Sequence, residues 1–430
     1  MSDFIFALLG TGGDIWPALR IARELSRRGH RITVLAPEPF AGRAQAEGFG
    51  FQSIDTQEAW LNDVGSPAYW GPDGTRLGLL LGGYLHRPVQ TSYEYIASRA
   101  SQAPIVVCTR NAYGARFAAE HFDLACLCLG YSSTQFFDVG RLPYRHRILR
   151  QAPRWFQAGL VAWGDKSGDA MLLPNLNAMR KRYDLPAVSS FRTWSFFRHP
   201  GIALYPAWYD DVKILSSFGI RQTNFVFAHD SDGGPLPSTL QSFLDAGQAP
   251  MVVSFGTGVG HVNQRFRAVL EMINRTDWRA VFVSRFKANL PEQARSHPRI
   301  HVLDEVDFSA LLPRCALLVH HGGIGTAAQA IRAKIPQVIA PFAYDQPDNG
   351  QRFQSLGLAR LLSGRGLGSA RLEGAVVDAM EKTDRIRLKE FGERIRTNDG
   401  SVLAADACEE ISKTDAEVAR QINQSFQVEG

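Results

Sequence analysis

The sequence has few cysteines, no long apolar run and no internal repeat, and each absence excludes a class of protein. The five cysteines among 430 residues are an odd, scattered set that fits no disulfide framework: Cys108, Cys126, Cys128, Cys315 and Cys408. No stretch reaches the ~18 consecutive apolar residues of a membrane-spanning helix. No repeat with a period of roughly 20–50 residues is present, which excludes a solenoid. We therefore expect a globular protein in a reduced, cytoplasmic setting.

The opening residues predict a strand instead of a signal peptide. Residues 4–9 are apolar but short, lack a basic region before them and run straight into a glycine turn. Helical spacing from Trp16 to Arg28 and an apolar run at 31–36 complete a strand–helix–strand unit. At about 150 residues per domain, a chain of this length holds two or three domains.

Positive charge is concentrated in one segment. The whole chain carries a net charge of +5, whereas residues 141–199 hold eleven Lys or Arg and three Asp, so 11 − 3 = +8. Aromatic residues lie between these charges: Trp155, Phe156, Trp163, Trp194, Phe196 and Phe197. Two interpretations stay open, a solvated helical insert with its own small core, or a surface for anionic lipid or an acidic acceptor. The second would bring the protein to the inner face of the membrane. No recognition motif accompanies the charge, so nucleic acid is not an expected partner.

Two successive strand–helix arrays predict the architecture. Residues 229–235 have linker composition and separate the arrays. Further strands are predicted in the first array at 104–108, 124–129, 201–205 and 225–227, and in the second at 250–255, 279–283, 300–303 and 316–319. We predict an α/β protein with two doubly wound, Rossmann-like domains that face each other across a cleft. Their bounds are 1–229, which includes the insert 141–199, and 236–405. Residues 406–430 are expected to form a helical tail that packs on the first domain.

The stretch His320-His321-Gly322-Gly323-Ile324-Gly325-Thr326 predicts an anion site. An apolar run leads into it and a segment with helical spacing follows, with a threonine at the helix start. Glycines let a ligand approach the backbone, and the free N–H groups of a helix N-terminus favour phosphate. Asp345 and Gln346 follow the next apolar run. They would lie at the carboxyl end of a strand, where open α/β sheets bind ligands.

Residues 302–353 resemble the nucleotide-sugar-binding signature of the GT-B glycosyltransferases of family 1. This group includes antibiotic glycosyltransferases, sterol glucosyltransferases and the rhamnolipid rhamnosyltransferase. The matching residues are Leu311-Leu-Pro-Arg-Cys-Ala316, the stretch 320–326, Ile335-Pro-Gln-Val338, Pro341 and Asp345-Gln346-Pro-Asp-Asn349. A thinner likeness covers Gly10-x-x-Gly13-Asp14-x-x-Pro17, Arg28-Gly-His30 and Tyr205-Pro-Ala-Trp208. No motif covers 40–100 or 141–199.

The resemblance implies a role for each matching residue on the donor side. The first domain would bind the acceptor, and the second the nucleotide sugar. Donor diphosphate would be held by Gly256, Thr257, His321, Gly323, Gly325 and Thr326. Val306 would meet the base through its backbone. The position before it often carries a base-stacking tryptophan in the family but is Glu305 here. Asp345 and Gln346 would bind the sugar hydroxyls.

The acceptor side of the resemblance points to Asp14. Many members have a histidine base in the first turn and an aspartate that orients it. The corresponding positions here are Asp14 and a site near Thr109, so both halves of that pair are missing together. This pattern is similar to the branch in which a first-turn aspartate is itself the base. The alternative is that Asp14 only caps a helix that starts near Ile15.

The implied activity is transfer, with inversion, of a sugar from a UDP- or dTDP-sugar to a hydroxyl of a small hydrophobic acceptor. The acceptor would be a natural-product aglycone or a lipid. Rhamnosyl transfer to a hydroxy fatty acid is one version, and glucosyl transfer is another. No Asp-x-Asp metal signature occurs at a donor loop, so neither a metal nor another cofactor is expected. Two alternatives stay open: a nucleotide-sugar epimerase on the same fold, and a non-catalytic partner of another transferase. Asp14, His321 and Asp345-Gln346 argue against the second.

Overall fold

A computed structural model describes most of the chain as two compact units. The described residues are 1–66, 69, 86–136, 142–146, 148–212, 216, 219–228, 234–256, 262–362, 367–397 and 399–410. One unit comprises Met1–Asp63, Gly71–Val226 and Gly400–Gly430, and the other comprises Val64–Trp70 and Phe227–Asp399. Of the predicted tail, 411–430 lies outside the described residues, as do 229–233 of the predicted linker.

The first unit contains a parallel sheet of seven strands. In chain order these are β1 Asp3–Ala7, β2 Arg31–Ala36, β3 Gly50–Ser53, β4 Ile105–Thr109, β5 Cys126–Gly130, β6 Gly201–Ala203 and β7 Ile220–Gln222. Their spatial order is β3-β2-β1-β4-β5-β6-β7. The sequence therefore runs outward from β1 in one direction and then outward from β4 in the other. This is a doubly wound arrangement with its switch point between β1 and β4.

Helices connect these strands and cover the sheet. They are α1 Gly12–Arg27, α2 Ala41–Ala46, α3 Gln57–Gly65, α4 His86–Ala97, α5 Tyr113–His121, α6 Arg154–Lys181 and α7 Phe191–Phe197. The central strands β4 and β5 are buried along their whole length, because helices lie on both faces of a parallel sheet. The predicted strand at 225–227 is wrong. After β7 the chain turns away, and the carbonyls of Asn224 and Phe225 lie against Gly400, where an added Cβ would come within 2.5 Å and 2.4 Å of them.

The basic segment is anchored to the sheet by a buried carboxylate. Glu120 of α5 pairs with Arg180 of α6 at 3.0 Å and accepts the indole N–H of Trp194 of α7 at 2.7 Å. Burial alone would raise the pKa of this carboxyl, but its hydrogen bond to His199 and the charges of His199 and Arg180 hold the pKa well below its usual range. The segment is thus tied to the first unit through a charge network in its interior.

The second unit repeats the same plan with six strands. These are β8 Met251–Ser254, β9 Ala280–Val283, β10 Ile300–Leu303, β11 Leu317–His320, β12 Gln337–Ile339 and β13 Arg360–Leu361. All are parallel, in the order β10-β9-β8-β11-β12-β13. The switch point lies between β8 and β11. The helices are α8 Ser238–Asp245, α9 Asn263–Arg275, α10 Glu292–Ser296, α11 Phe308–Leu311, α12 Ile324–Arg332, α13 Gln346–Ser355, α14 Ser369–Lys382 and α15 Arg385–Thr397.

Alternate residues of the central strands enter two separate cores. Val253 and Val319 pack on one face with the aromatic side chain of Phe282, whereas Val252 and Leu318 pack on the opposite face. Because both faces are buried, these strands read as continuous apolar runs, which is why they are visible in the sequence. The two-domain α/β fold predicted from the sequence is therefore the observed one.

The last described helix, residues 400–410, belongs to the first unit. Arg28 donates to Asp406 at 2.7 Å and to Glu409 at 3.0 Å, and His30 lies 2.8 Å from Glu409. The chain thus returns to the turn that follows α1. Within the described ranges, none of the helices combines the length and the hydropathy needed to cross a bilayer.

Candidate active site

The chemistry-bearing loops of each unit gather at its switch point. In the second unit, Phe255 and Gly256 follow β8, and the segment after β11 starts at His321. Because β8 and β11 are neighbours and parallel, these two loops emerge side by side. In the first unit, the turn after β1 lies beside the end of β4 in the same way. Such crevices are where open α/β sheets bind ligands.

The two histidines at the end of β11 have different roles. His320 is completely buried; its Nε2 lies 2.8 Å from the side-chain oxygen of Gln337, and its Nδ1 accepts the N–H of Gly322 at 3.1 Å. Nε2 therefore carries the proton. Burial, followed by the charge of His321, lowers the pKa of His320 to about 3. Both ring nitrogens are occupied within the protein, so His320 is a neutral structural residue that shapes the glycine loop.

The ring of His321 stands nearly perpendicular to that of His320, and His321 is only partly buried. Its ring lies 6.1 Å from that of Phe342. Its Nδ1 is buried without a well-formed hydrogen bond among the described residues, although the Ser254 carbonyl favours the protonated form. Burial dominates over that carbonyl and, with the nearby charge of Arg265, lowers the pKa of His321 to about 4. A neutral imidazole results, which has one N–H donor and one bare nitrogen acceptor.

Glycines bring the backbone between β11 and α12 into an unusual path. Gly322 has φ +95°, and a Cβ there would lie 2.8 Å from a methyl of Ile339. A Cβ at Gly323 would lie 2.7 Å from Nε2 of His321. Gly322 therefore requires glycine for its positive φ and its close packing, whereas a side chain at Gly323 would displace the His321 ring.

The N-terminus of α12 has backbone donors that lie outside the hydrogen-bonding pattern of the helix itself. Gly323 is its N-cap and provides no side-chain cap. The first intrahelical bond runs from Ala327 N–H to Gly323 at 3.0 Å, so the N–H groups of Ile324, Gly325 and Thr326 precede it. The prediction that Thr326 stands at the helix start is wrong by two residues, because the helix begins at Ile324. Gly325 is exposed and Thr326 half-buried, so these donors lie at a surface that an anion can reach.

Asp345 and Gln346 form the loop that follows β12. Oε1 of Gln346 accepts the N–H groups of Phe342 and Ala343 at 3.0 Å and 3.1 Å, so this oxygen shapes the loop. Asp345 accepts from the side chain of Asn349 at 2.8 Å, and the same amide donates to the Gly322 carbonyl at 2.9 Å. Asn349 thereby links the glycine loop to Asp345. The sequence motif includes Asn349, but nothing in its pattern indicates this bridge.

Arg265 is a cation of this site that the sequence interpretation missed. It lies on α9, after the loop that begins at Gly256, and donates to the carbonyls of Ala340 and Pro341 at 2.7 Å and 3.3 Å. Its guanidinium lies 4.8 Å from the ring centre of Phe342. Burial lowers its pKa to about 10, so it remains charged at neutral pH. Nothing in the sequence distinguishes it from Arg267, which lies two residues later on the same helix.

The remaining predicted donor residues are less fully defined. Gly256 lies two residues after the end of β8, with φ +101°, and Thr257 lies outside the described residues. Val306 follows β10, and its side chain packs on one of the two cores, which leaves its backbone for a base contact. Glu305 pairs with Arg285. Its position therefore holds a solvent-facing ion pair instead of a stacking ring.

In the first unit, Asp14 stands at the start of α1. The helix begins at Gly12 with Thr11 as N-cap, and Asp14 is the third helical residue of a reciprocal capping box. Its Oδ2 accepts the N–H of Thr11 at 2.8 Å. The alternative of Asp14 as N-cap of a helix near Ile15 is therefore wrong in position, although the carboxylate does stabilise the helix start. Asp14 is half-buried, so it combines this role with access to solvent.

The surroundings of Asp14 are fixed by contacts to the turn. A Cβ on Gly10, which has φ +141°, would lie 2.3 Å from the Asp14 carboxylate, and the Gly10 carbonyl accepts the indole N–H of Trp60 at 3.0 Å. Thr109 accepts the N–H of Leu9 at 2.9 Å, so it holds the turn. Burial, and after it the charge of Asp14, raises the pKa of Tyr131 well above its usual range. Its hydroxyl is buried without a hydrogen bond among the described residues.

Two family profiles match separate parts of the chain, one in each unit. Residues 4–127 match the glycosyltransferase family 28 N-terminal domain. Residues 267–414 match the C-terminal domain of proteins like the erythromycin biosynthesis protein CIII. The first match includes the turn that holds Asp14, and the second includes the stretch 320–349.

Similar proteins include antibiotic and sterol glycosyltransferases. A vancomycin aglycone glucosyltransferase of Amycolatopsis orientalis is 28% identical over 412 residues, which covers 93% of this chain and 95% of that protein. A sterol 3-beta-glucosyltransferase of Arabidopsis thaliana is 24% identical over 439 residues, covering 93% and 66%. The crystal structure of the glycosyltransferase VinC in complex with dTDP superposes with a TM-score of 0.63, at 16% identity and 95% and 99% coverage. None of these findings supports an epimerase or a non-catalytic partner.

Proposed function

Because this chain is a GT-B glycosyltransferase of family 1, we propose that it transfers a hexose from a nucleoside-diphosphate sugar to a hydroxyl of a small hydrophobic acceptor, with inversion. The donor would be a UDP- or dTDP-sugar, since the VinC structure binds dTDP. The acceptor would be a natural-product aglycone or a lipid, since the relatives are named for a glycopeptide aglycone and a sterol. Glucosyl and rhamnosyl transfer both fit this proposal.

The observation that carries the proposal is the N-terminus of α12 beside neutral His321. As the bond between the anomeric carbon and the diphosphate breaks, its electron pair moves to the phosphate oxygen. The N–H groups of Ile324, Gly325 and Thr326 and the imidazole N–H of His321 can stabilise that charge. Arg265 adds a buried positive charge in the same unit. The loop with Asp345 and Gln346 would orient the sugar hydroxyls.

On the acceptor side, Asp14 would act as the general base. The acceptor oxygen attacks the anomeric carbon, and its proton passes to the Asp14 carboxylate. Attack and departure on opposite sides of that carbon give inversion in one step. The unpartnered hydroxyl of Tyr131, near Asp14, supports a polar end for the acceptor there. No metal takes part in this scheme, and we expect the rate of transfer to be the same with a chelator and with added Mg²⁺.

The test compares wild type, Asp14→Asn and Asp384→Asn. Asp384 also receives backbone N–H groups at a helix start, from Ile386 at 3.1 Å and Arg387 at 3.0 Å, so its variant reports the loss of a capping carboxylate alone. Loss of a general base lowers the rate by about 10²–10⁴-fold. We expect this loss in Asp14→Asn only, with binding of UDP or dTDP retained.

Single-turnover transfer and calorimetric binding of the nucleoside diphosphate measure the two effects separately. Equal rates for wild type and Asp14→Asn would refute the assignment of the base. Failure of wild type to bind any nucleoside diphosphate would refute the donor assignment. A screen of UDP- and dTDP-sugars by thermal stabilisation identifies the donor, because a bound ligand stabilises by RT ln(1 + [L]/Kd).

A further inference from the structure

Helix α6 exposes large apolar side chains along one face. Trp155 is 76% exposed and Trp163 is 72% exposed, and Phe156 and Met171 are also exposed. Ile148, in the turn before the helix, is 83% exposed. Trp155 and Phe156 touch edge to face. Such a concentration of exposed aromatic rings on one element marks an interaction surface.

The geometry of α6 separates this face from the core. At about 100° per residue, Trp155, Phe156, Trp163 and Lys166 fall within an arc of roughly 100°. The buried residues lie on the other side: Val161, Leu172, Leu176 and Met179. The exposed rings are therefore not part of a core, because the helix already has a buried side. We call Ile148, Trp155, Phe156, Trp163 and Lys166 the α6 face.

The charges of α6 are sorted between the two sides. Its two acids point to partners in the protein: Asp165 accepts from Arg192 at 2.8 Å, and Asp169 accepts the N–H of Phe191 at 2.7 Å. Arg154 and Lys166 are exposed. Lysine and arginine beside tryptophan, with the acids turned inward, complement an anionic surface.

We propose that the α6 face docks the protein on the surface of an anionic lipid bilayer, without crossing it. Tryptophan has an apolar body and a polar N–H and settles at the depth of the lipid headgroups, and flanking cations attract anionic lipid. A convex helix face that carries rings and cations fits a flat bilayer better than it fits a protein groove. This inference does not depend on the identity of the donor or of the base.

The test measures sedimentation of the full chain with vesicles. Vesicles of phosphatidylcholine alone are compared with vesicles of phosphatidylcholine and phosphatidylglycerol. The variants are Trp155→Ser/Trp163→Ser and Lys166→Glu. The matched control is Ile386→Ser, because Ile386 is 82% exposed but lies in the second unit. Thermal unfolding of each variant confirms that it folds.

We expect wild type and Ile386→Ser to bind the anionic vesicles and to leave the neutral ones free. The double tryptophan variant should bind roughly tenfold more weakly or worse, and Lys166→Glu should lose part of the binding. Tryptophan fluorescence should shift to shorter wavelength on binding in wild type and not in the double variant.

Three results would overturn the proposal. Wild type could fail to bind, or could bind neutral and anionic vesicles equally. The double variant could bind vesicles as wild type does. In that last case, a fall in kcat/KM for a soluble acceptor would identify the face as an acceptor surface, and a change in oligomeric state would identify it as an interface between copies.

Discussion

Replacing Asn349 by alanine should lower both the stability of the second unit and its affinity for the donor nucleotide. Asn349 is fully buried, and its amide donates to the Gly322 carbonyl at 2.9 Å and to Asp345 at 2.8 Å. Leaving the buried carbonyl unpaired costs about 1–3 kcal/mol. Asp345 is half-buried and can bind water in place of Asn349. The loss of its hydrogen bond from Asn349 therefore adds less than about 1 kcal/mol. We expect the free energy of unfolding to fall by about 1–4 kcal/mol.

The effect on binding of the nucleoside diphosphate follows because Asn349 joins the glycine loop after β11 to Asp345. Without the bridge, the backbone of Gly322 is no longer held to the loop of Asp345, and the donors of α12 lose part of their fixed position. We expect the Kd for UDP or dTDP to rise roughly tenfold, which is about 1.4 kcal/mol. Calorimetry measures the Kd, and urea unfolding measures the stability.

Asn177→Ala is the matched control. Asn177 also uses its side chain to hold a loop, donating to the Val188 carbonyl at 3.0 Å and accepting the Val188 N–H at 2.9 Å, but in the first unit. It should cost stability and leave the Kd unchanged. If Asn349→Ala destabilised the protein while the Kd stayed within about twofold of wild type, the bridge would serve folding only. If Asn349→Ala caused no destabilisation, the hydrogen-bond argument itself would fail.

Three further variants or conditions test the fold around the two sites. Gly322 has φ +95°, and a Cβ there would lie only 2.8 Å from a methyl of Ile339 in β12. Gly322→Ala should therefore lower the free energy of unfolding, measured in urea, by about 2–4 kcal/mol. A Cβ at Gly325 would have no atom within 4 Å, so Gly325→Ala should not destabilise the protein. The pKa of His320 is lowered to about 3 in the folded protein, below the value of ~6.5 in the unfolded chain. The free energy of unfolding should therefore be unaffected by His320 above pH ~6.5 and should fall as the pH falls, by about 2 kcal/mol at pH 5. A flat profile of the free energy of unfolding from pH 7 to 5 would contradict this. Glu120→Gln leaves the buried Arg180 without its carboxylate and should lower the free energy of unfolding by about 3–5 kcal/mol. Because the pKa of Glu120 is held low in the folded protein, wild type should lose the same stabilisation as the pH falls below about 4.5. The variant should not show this loss.

The sequence was sufficient to predict most strands of the two sheets because those strands are buried. Strands such as β8 and β11 are buried on both faces, so they appear as unbroken apolar runs ending in glycine turns. The wrong strand at 225–227 has the same apolar appearance. Phe225 instead packs against the rings of Trp208 and Tyr209, and its carbonyl lies against Gly400. A local pattern does not distinguish such packing outside the sheet from burial in a sheet.

The candidate site was predictable only in its backbone. Glycines at positions where a Cβ would clash, such as Gly322, are visible in the sequence as a glycine-rich motif. Arg265 and the bridging role of Asn349 leave none, since each acts through carbonyls brought close by the fold. The adjacent histidines show the same limit. Nothing in the sequence distinguishes His320, which is bonded on both nitrogens, from His321, which has a nitrogen left over for a ligand.

The basic segment shows how a charge count misleads without a fold. Its excess of +8 already subtracts Asp165, the partner of Arg192. Two of its other arginines pair with Glu120 of α5: Arg180 is buried there, and Arg198 lies 3.5 Å from the same carboxylate. These arginines hold the segment to the first unit and contribute little to the field outside. The exposed charge of α6 is thus smaller than the sequence indicates, and its attraction to anionic lipid must depend more on the tryptophans. Removing Trp155 and Trp163 should therefore weaken vesicle binding more than reversing the charge of Lys166 does, and the opposite order would show that electrostatics dominates.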